Sequence, residues 1–335
     1  RVEASDIKED PLDFALWKAV KNDSEISWDS PWGKGRPGWH LECSAMSRKY
    51  LGDTIDIHAG GQDLLFPHHE NEIAQSECAC GCEFVKYWLH NGFVTINSEK
   101  MSKSLRNYIT IQDLLEKYDS NTIRFFILTN HYRMPVEFND ESLSSAKAGV
   151  RRFKNAITDV ENKVSAKKVD EAVEILSAIT KEIAQAGKLP FSDVEKMKEL
   201  EALVPAEIME SIVSLSKSFI SSMDDDFNTS KALACLFEIA SLAQKAKDSD
   251  NPESGAFYAA LLIILSEVLG FDLRKTEALD DGLASKLIDL IISVRNDARA
   301  EKNWAMSDKI RDELKNLGIA LKDSKEGTTW SFEDK

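Results

Sequence analysis

One apolar seam dominates the middle of the sequence. From Leu143 to Val164, apolar side chains recur at spacings of three and four residues, which places them on one face of a long helix. A helix with one apolar face buries it against other elements. Similar patterns predict further helices over residues 173–183, 208–219, 229–243 and 257–269. The sequence therefore predicts an all-α bundle over residues 146–278. The seam consists of Leu143, Ala146, Val150, Phe153, Ile157, Val160 and Val164.

The sequence before the bundle has the mixed pattern of an α/β unit. Residues 54–58 alternate apolar and polar side chains as a strand does, and two glycines follow that allow close ligand approach. A second strand is predicted over residues 93–96, and helices over residues 41–50 and 68–76, the latter with Pro67 in its first turn. Residues 17–38 are rich in Trp, Pro and Gly and predict an ordered loop.

A short helix is predicted to connect this unit to the bundle. Thr110 and Asp113 have the spacing of a helix cap, and the residues after Thr110 offer an apolar face. That face consists of Ile111, Leu114, Leu115 and Tyr118.

The end of the chain predicts a small mixed domain. Helices are expected over residues 283–300 and 305–317, with Gly318 at the position of a helix-terminating glycine. Residues 319–321 and 328–332 then predict a hairpin. The predicted fold class is α/β plus all-α, and the predicted domains are residues 1–105, 106–145, 146–278 and 279–335.

Composition limits the kinds of protein that this chain can be. Its 335 residues, 43% of them hydrophobic, suffice for more than one core. The formal charge of −15 argues against nonspecific nucleic-acid binding, so any contact with RNA must use a local basic face. The longest apolar stretch is too short to span a membrane, and five cysteines are too few for a disulfide framework. These features indicate a cytoplasmic protein without membrane contact, and we expect a monomer.

Two groups of residues have the chemistry of metal ligands. His68 and Glu72 are four residues apart on one predicted helix face, and Cys43 offers a thiolate from another element. For a lone pair of this kind, a helix cap and a solvated carboxylate are the more common explanation. Cys78, Cys80 and Cys82 lack the spacing of structural zinc sites, so they are predicted to lie in a surface loop.

Several motifs in a fixed order change that balance. With their spacings they closely resemble the cysteinyl-tRNA synthetases of class I. The resemblance continues into the bundle and the end of the chain. The motifs are Arg36-Pro37-Gly38-Trp39-His40-Leu41-Glu42-Cys43-Ser44-Ala45-Met46, His58-Ala59-Gly60-Gly61-Gln62-Asp63-Leu64, Phe66-Pro67-His68-His69-Glu70-Asn71-Glu72, Lys100-Met101-Ser102-Lys103-Ser104, Asp224-Asp225-Asp226-Phe227-Asn228-Thr229 and Gly327-Thr328-Thr329-Trp330.

The resemblance implies a fold and a zinc site. The fold is the C-terminal half of a Rossmann-type catalytic domain, then a helical bundle and a small mixed α/β domain. Zinc is held in the family by two Cys, one His and one Glu, and Cys43, His68 and Glu72 match three of these ligands. The fourth ligand, a Cys, lies upstream in the family. Such a zinc ion binds the substrate cysteine as a thiolate, whereas the hydroxyl of serine is a poor ligand and is excluded.

The resemblance also implies an ATP site. The Lys100–Ser104 loop is similar to the class I loop that closes over ATP, which is used with Mg²⁺. Lys103 would stabilise charge on the phosphates, and Lys100 is the weaker catalytic candidate. Gly60 and Gly61 would admit adenosine, and Asp63 would hold the substrate ammonium or the adenylate ribose. The residues expected to line the cysteine pocket are Trp39, His40 and His58. The other ATP signature of the class, His-Ile-Gly-His, is absent from this sequence, and the family carries it upstream.

The last helices correspond to the region with which the family binds the anticodon. Bases can stack on Trp304 or on the planes of Arg295 and Arg299, and Asp308 can accept hydrogen bonds. For each residue alone, a solvated helix face is the simpler explanation.

Three functions remain open. The first is ATP-dependent activation of cysteine to cysteinyl-adenylate and its transfer to tRNA(Cys). The second is the mycothiol-pathway ligase, which joins cysteine to an amino sugar but lacks an anticodon domain, so residues 283–335 weigh against it. The third is a non-catalytic tRNA- or zinc-binding fragment, because this chain without the upstream ATP signature is expected to be inactive.

Overall fold

The computed structural model divides into two compact units, residues 1–273 and 274–335. Within the described residues, no helix combines the length and apolar character required to cross a membrane. The structure describes residues 8–22, 24–96, 99–101, 107–186, 204–274, 281–317, 319–324 and 327–332.

The first unit begins with a two-stranded antiparallel pair, β1 (Trp17–Ala19) and β2 (Gly35–Pro37). This pair corrects the prediction of a loop over residues 17–38. Gly35 is required where the strands meet, because a Cβ there would lie 2.4 Å from the carbonyl oxygen of Lys18. Helix α1 (Trp39–Leu51) follows and confirms the predicted helix with two extra residues at its start.

A β-α-β unit follows α1. Strands β3 (Ile55–Gly61) and β4 (Val85–Asn91) pair in parallel, and helix α2 (Glu70–Cys80) connects them. A π-helical turn (Leu65–His69) precedes α2, so the predicted helix begins two residues later than expected and Pro67 lies before it. Both predicted glycines belong to β3 itself. The unit has a small buried apolar core of Ile55, Phe84 and Val85.

A second sheet connects this unit to the helices. Strand β5 (Val94–Ile96) pairs antiparallel with β6 (Glu99–Lys100) and parallel with β7 (Val136–Glu137). Between β6 and β7 lie helices α3 (Ile111–Leu115) and α4 (Ser120–Leu128).

Helix α3 confirms the predicted cap but not the predicted apolar face. Thr110 accepts a hydrogen bond from the Asp113 amide, and the Asp113 carboxylate accepts one from the Thr110 amide. Ile111 and Leu115 are 64% and 52% exposed, so only Leu114 and Tyr118 of the expected face pack against the core. Tyr118 lies beyond the end of this five-residue helix, so the helix itself turns only Leu114 inward.

The bundle confirms the long apolar seam. Its helices are α5 (Asp140–Val164), α6 (Ala166–Ala186), α7 (Ala206–Asp224), α8 (Thr229–Lys247) and α9 (Ser254–Val268). Leu143, Phe153 and Val160 are completely buried. Helix α9 is apolar nearly all round and packs against its neighbours on several sides, as a central helix must.

The second unit confirms two helices and a hairpin. Helices α10 (Asp281–Ala300) and α11 (Trp304–Asn316) pack with the antiparallel strands β8 (Ile319–Ser324) and β9 (Gly327–Phe332). Gly318 lies outside the described residues. The core of this unit consists of Ile288, Ile292, Leu314 and Ile319.

Candidate functional site

Helix α1, helix α2 and the turn before α2 bring together the three predicted metal ligands. One ligand atom each from Cys43, His68 and Glu72 lies within 4.8 Å of the other two. The two helices are tied together beside them, since the Ser44 hydroxyl donates a 2.8 Å hydrogen bond to Oε1 of Gln75. His68 is 4% exposed and Glu72 is completely buried. The sequence spacing of four between His68 and Glu72 thus produces convergent side chains, as predicted.

Glu72 is a buried carboxylate whose oxygens lack hydrogen bonds. Its Oε1 lies 2.5 Å from Nε2 of His68, and its Oε2 lies 3.5 Å from Nε2 of His58. Neither contact has hydrogen-bond geometry, so both oxygens are unsatisfied among the described residues. Burial raises the pKa of Glu72 to about 7. A buried carboxylate is stable only with a compensating partner, and a cation would supply one.

The imidazoles around Glu72 are oriented by further histidines. Nδ1 of His68 lies 2.7 Å from Nδ1 of His40, which leaves Nε2 of His68 directed at Glu72. Nδ1 of His69 lies 2.8 Å from Nε2 of His90. Hydrogen bonds of this kind to the remote nitrogen orient metal-binding histidines. Burial is the main cause of the lowered pKa of His40, His58, His68, His69 and His90, with that of His69 falling to about 4.

Two tryptophans cover the histidines. The Trp39 ring lies 4.2 Å from that of His68 and is 53% exposed, so it forms part of an accessible wall. Trp88 lies 4.8 Å from His58 and 4.9 Å from His69. Of the three residues predicted to line the cysteine pocket, Trp39 and His40 contact His68, and His58 faces Glu72.

Sequence reasoning missed three members of this cluster: His69, Trp88 and His90. The signal that could have found the last two is the register of β4, which places Trp88 beside His58 and His90 beside Gly60. His131 is the only histidine of the sequence outside the cluster.

Gly60 has a packing role that the sequence did not indicate. A Cβ at this position would lie 2.8 Å from Cε1 of His69. The glycine therefore makes room for an imidazole. A second possible donor group, His58, His69 and Glu72, shares its carboxylate with the first.

The donor set fits zinc. A thiolate, an imidazole and a carboxylate are common zinc ligands. The thiol of Cys43 has a raised pKa, because of its burial and the nearby Glu72 and Glu42 carboxylates. The orphaned oxygens of Glu72 complete the fit, since a zinc ion would satisfy them.

The expected ATP residues are partly described. Lys100 on β6 donates a 2.8 Å hydrogen bond to Oδ2 of Asp63, and this bond lowers the pKa of the Asp63 carboxyl. The Lys100 ammonium also lies 4.1 Å from the centre of the Phe93 ring. The structure therefore pairs two residues that were predicted separately. Lys103 lies outside the described residues.

The cysteine cluster is not a simple surface loop. Cys78 and Cys80 belong to the last turn of α2, and a disulfide joins Cys80 to Cys82 across Gly81. Gly81, with φ of 70°, adopts the left-handed conformation that ends the helix.

The expected anticodon residues differ in accessibility. Trp304 is 57% exposed, and Asp308 is exposed and forms a 3.3 Å ion pair with Arg311. Arg299 is half-buried. Arg295 is only 3% exposed, so the structure argues against a surface contact by this side chain. Arg295 lies on the same face of α10 as Ile288 and Ile292, which belong to the core of the second unit, and its side chain is therefore buried.

Three family models match the chain. Residues 1–148 match the class I (C) catalytic domain of tRNA synthetases, residues 218–274 match the DALR domain, and residues 285–330 match the cysteinyl-tRNA ligase anticodon binding domain.

Curated relatives match almost the whole chain. The cysteine–tRNA ligase of Fusobacterium nucleatum subsp. nucleatum is 45% identical over 340 residues, which cover 99% of this chain and 64% of that protein. The cysteine–tRNA ligase of Geobacillus thermodenitrificans is 46% identical over 332 residues, covering 98% and 63%. The chain therefore spans slightly less than two thirds of the length of these relatives.

Similarity to solved structures is weaker. The chain aligns with the LeuRS-tRNA-LeuAMS ternary complex of Agrobacterium radiobacter K84 at a TM-score of 0.48 and 13% identity, covering 79% of this chain and 34% of that one.

Proposed function

Because the chain belongs to the cysteinyl-tRNA synthetase family, we propose that it is part of a cysteine–tRNA ligase. The reaction is ATP-dependent activation of cysteine to cysteinyl-adenylate, followed by transfer of the cysteinyl group to tRNA(Cys). The substrates are cysteine, ATP and this tRNA.

The observation that carries the proposal is the unsatisfied carboxylate of Glu72 beside Cys43 and His68. A buried group of this kind is costly without a ligand, and its neighbours are a soft thiol and an imidazole. We assign these three residues as zinc ligands. Zinc in this position would select cysteine over serine, because it favours a thiolate and binds a neutral hydroxyl poorly.

The residues around the ligands position the substrate and the zinc site. His40 holds the remote nitrogen of His68 and so fixes the imidazole that faces Glu72. Trp39 stacks near His68 and leaves half of its own surface exposed, which suits a wall against which a small amino acid binds. His58 faces the other oxygen of Glu72.

The ATP site combines the β3 end with the Lys100 loop. We assign Lys103, and secondarily Lys100, to stabilisation of charge on the phosphates as the cysteine carboxylate attacks the α-phosphate. Lys100 and Asp63 form an ion pair between β6 and the end of β3. We also assign Asp63 to the substrate ammonium or the ribose. Gly61 leaves room for the Asp63 carboxylate, since a Cβ there would lie 2.6 Å from Oδ1 of Asp63, whereas the space at Gly60 is filled by the His69 imidazole.

The remaining segments serve tRNA. Residues 106–145 are assigned to contacts with the tRNA stem, residues 146–278 to the bundle, and residues 279–335 to the anticodon. Of the anticodon candidates, Trp304, Asp308 and Arg299 are accessible enough for contact with bases. The match of residues 285–330 to an anticodon binding domain disfavours the mycothiol-pathway ligase.

A zinc measurement tests the site directly. Purified chain should contain about one zinc ion, and Cys43→Ala and His68→Ala should each lose most of it. Cys78→Ala is the matched control, because this thiol is exposed and is not one of the proposed zinc ligands. Unchanged zinc in Cys43→Ala would remove that residue from the site.

Cysteine-dependent ATP–pyrophosphate exchange tests the reaction. The longer product of the gene should catalyse exchange, and the 335-residue chain alone should not, because the His-x-Gly-His signature is absent from it. Exchange by the chain alone would refute its predicted inactivity. Absence of aminoacylation by a folded longer product would refute the ligase assignment and leave the zinc- or tRNA-binding function.

A further inference from the structure

The turn between α7 and α8 contains two strained residues. Asp226 and Phe227 have φ values of 53° and 54°, in the left-handed region that bulky side chains rarely adopt. Phe227 is 47% exposed, so burial of its ring does not compensate the strain. Contacts elsewhere must therefore hold this backbone in place.

The Phe227 and Asn228 amides donate to carbonyls at the end of α7, and further contacts come from the segment of residues 129–135, between α4 and β7. Oδ1 of Asp226 accepts a 2.7 Å hydrogen bond from the Tyr132 hydroxyl, and Oδ2 accepts a 2.5 Å bond from Nε of Arg133. The Thr229 hydroxyl donates a 2.9 Å bond to the carbonyl of Leu128 at the end of α4. The turn of the bundle thus fixes both the beginning and the middle of this segment.

The opposite side of the segment contacts Gly92, the residue directly after β4. The Gly92 amide donates a 2.8 Å hydrogen bond to the carbonyl of Tyr132. A Cβ at residue 92 would lie 2.5 Å from the carbonyl carbon of Met134, so the two backbones are in direct contact. The segment continues into β7, where the Val136 amide donates a 2.9 Å bond to Phe93.

Strand β5 transmits this position to Lys100. Thr95 of β5 pairs with Lys100 of β6, and the Met101 amide donates a 2.9 Å bond to the carbonyl of Val94. The Lys100 ammonium then contacts the Phe93 ring and the Asp63 carboxylate. A continuous path of hydrogen bonds therefore leads from Asp226 to the pair of Lys100 and Asp63.

We infer that Asp226 is a positioning residue for ATP use: it holds Tyr132 and Arg133, and so fixes β5, β6 and Lys100. The inference rests on the proposed function for its effect on activity, although its structural part does not. The proposed zinc ligands lie on α1, on α2 and in the turn before α2, outside this path, so zinc content should be independent of Asp226.

Two variants disturb the segment from opposite sides. Asp226→Asn removes the charge that binds Arg133, and Gly92→Ala places a methyl group against Met134. Asp225→Asn is the matched control, because Asp225 lies on the same turn but pairs with Lys231 at the surface. Tyr132→Phe removes a single hydrogen bond and serves if Asp226→Asn does not fold.

Hydrogen exchange of the 335-residue chain tests the structural part. The amides of Gly92 and Met134 in Asp226→Asn, and the amide of Met134 in Gly92→Ala, should exchange about tenfold faster than in Asp225→Asn. Equal exchange in Asp226→Asn and Asp225→Asn would overturn the inference. This measurement needs no activity, so it remains decisive if the proposed function fails.

The kinetics of cysteine-dependent ATP–pyrophosphate exchange by the longer protein test the functional part. Asp226→Asn and Gly92→Ala should raise KM for ATP, or lower kcat, by between about tenfold and a hundredfold, since small displacements of catalytic groups have effects of this size. Zinc content of the same variants should stay unchanged, because the proposed zinc ligands lie outside the path. A general loss of folding would also lower zinc content, and that result, or unchanged ATP kinetics, would overturn the inference.

Discussion

The zinc-type pocket and the helical bundle show two opposite ways of filling an interior. In the bundle, buried positions are almost all apolar, and residues such as Phe153 and Leu236 are completely enclosed. In the pocket, the most deeply buried side chain is the carboxylate of Glu72, surrounded by imidazoles. The apolar core of the neighbouring β-α-β unit consists of only three buried residues. The described part of the bundle is filled by apolar side chains that need no ligand, whereas the pocket requires a ligand to satisfy its buried carboxylate.

The chain carries two independent probes for these regions. None of its seven tryptophans lies within residues 140–268, so tryptophan fluorescence reports on the part of the chain before the bundle and on the second unit. Far-UV circular dichroism is dominated by helices and reports mainly on the bundle. Measurements of stability and zinc content can therefore separate the two kinds of interior.

The largest effect is expected from the centre of the bundle. Phe153→Ala leaves a cavity among fully buried helices and should lower the free energy of unfolding by about 3–5 kcal/mol. Urea unfolding followed by circular dichroism measures this loss, and zinc content should not change. Val268→Ala is the control, because Val268 is 62% exposed and should cost less than about 0.5 kcal/mol. Loss of zinc in Phe153→Ala would mean that the two interiors are not independent.

In the pocket, we expect the opposite result, in which zinc is lost and the metal-free protein becomes more stable. Glu72→Gln removes a buried carboxylate without removing volume, so zinc content should fall close to zero. In metal-free protein, the same change should raise the free energy of unfolding by about 1–2 kcal/mol, because the uncompensated charge is gone. Urea unfolding of metal-free protein, followed by tryptophan fluorescence, measures the gain.

Glu70→Gln is the matched control for this change, since Glu70 lies in the same first turn of α2 and is exposed. It should keep its zinc and change stability by less than about 0.5 kcal/mol. If Glu72→Gln retained zinc, or destabilised the metal-free protein, Glu72 would not be a ligand held at the expense of stability.

How much of each region the sequence predicts depends on whether its interior is apolar, as in the bundle, or polar, as in the pocket. The bundle obeys a period of 3.6 residues, so Leu143, Val150 and Phe153 could be assigned to its core from spacing alone. The ligands Cys43 and Glu72 could not, because a single His and Glu pair has more common explanations. They emerged from the resemblance of whole motifs.

The missed features depend on tertiary contacts. Strand β4 was not predicted, because apolar and polar residues do not alternate along residues 85–91. Without β4, no pattern places His90 next to His69. The cap at Thr110 was predicted correctly because it is a local interaction between residues three apart. Local rules therefore reach helices and caps, whereas the histidine cluster requires the register of two parallel strands.

Two glycines allow the same change to be made in each interior. A Cβ at Gly149 would lie 2.6 Å from Cζ of Phe125 in the bundle, and a Cβ at Gly60 would lie 2.8 Å from Cε1 of His69 in the pocket. Gly149→Ala should lower the free energy of unfolding by about 1–2 kcal/mol, as overpacking outweighs the better helix propensity of alanine. Gly60→Ala should instead weaken zinc affinity by about tenfold or more, through the displaced imidazole. A zinc competition assay and urea unfolding of both variants would contradict the comparison if they gave the reverse pattern.

The smallest effect concerns α3, which neither interior stabilises fully. Two of its apolar side chains, Ile111 and Leu115, are largely exposed, so its capping box at Thr110 and Asp113 carries much of its stability. Thr110→Ala should cost about 1 kcal/mol, the usual value for loss of an N-cap side chain, and Thr110→Ser should restore most of it. The measurement is hydrogen exchange of the Asp113 amide, which donates to the Thr110 hydroxyl. Equal exchange in the alanine and serine variants would show that packing of Leu114 and Tyr118, rather than the cap, holds the helix in place.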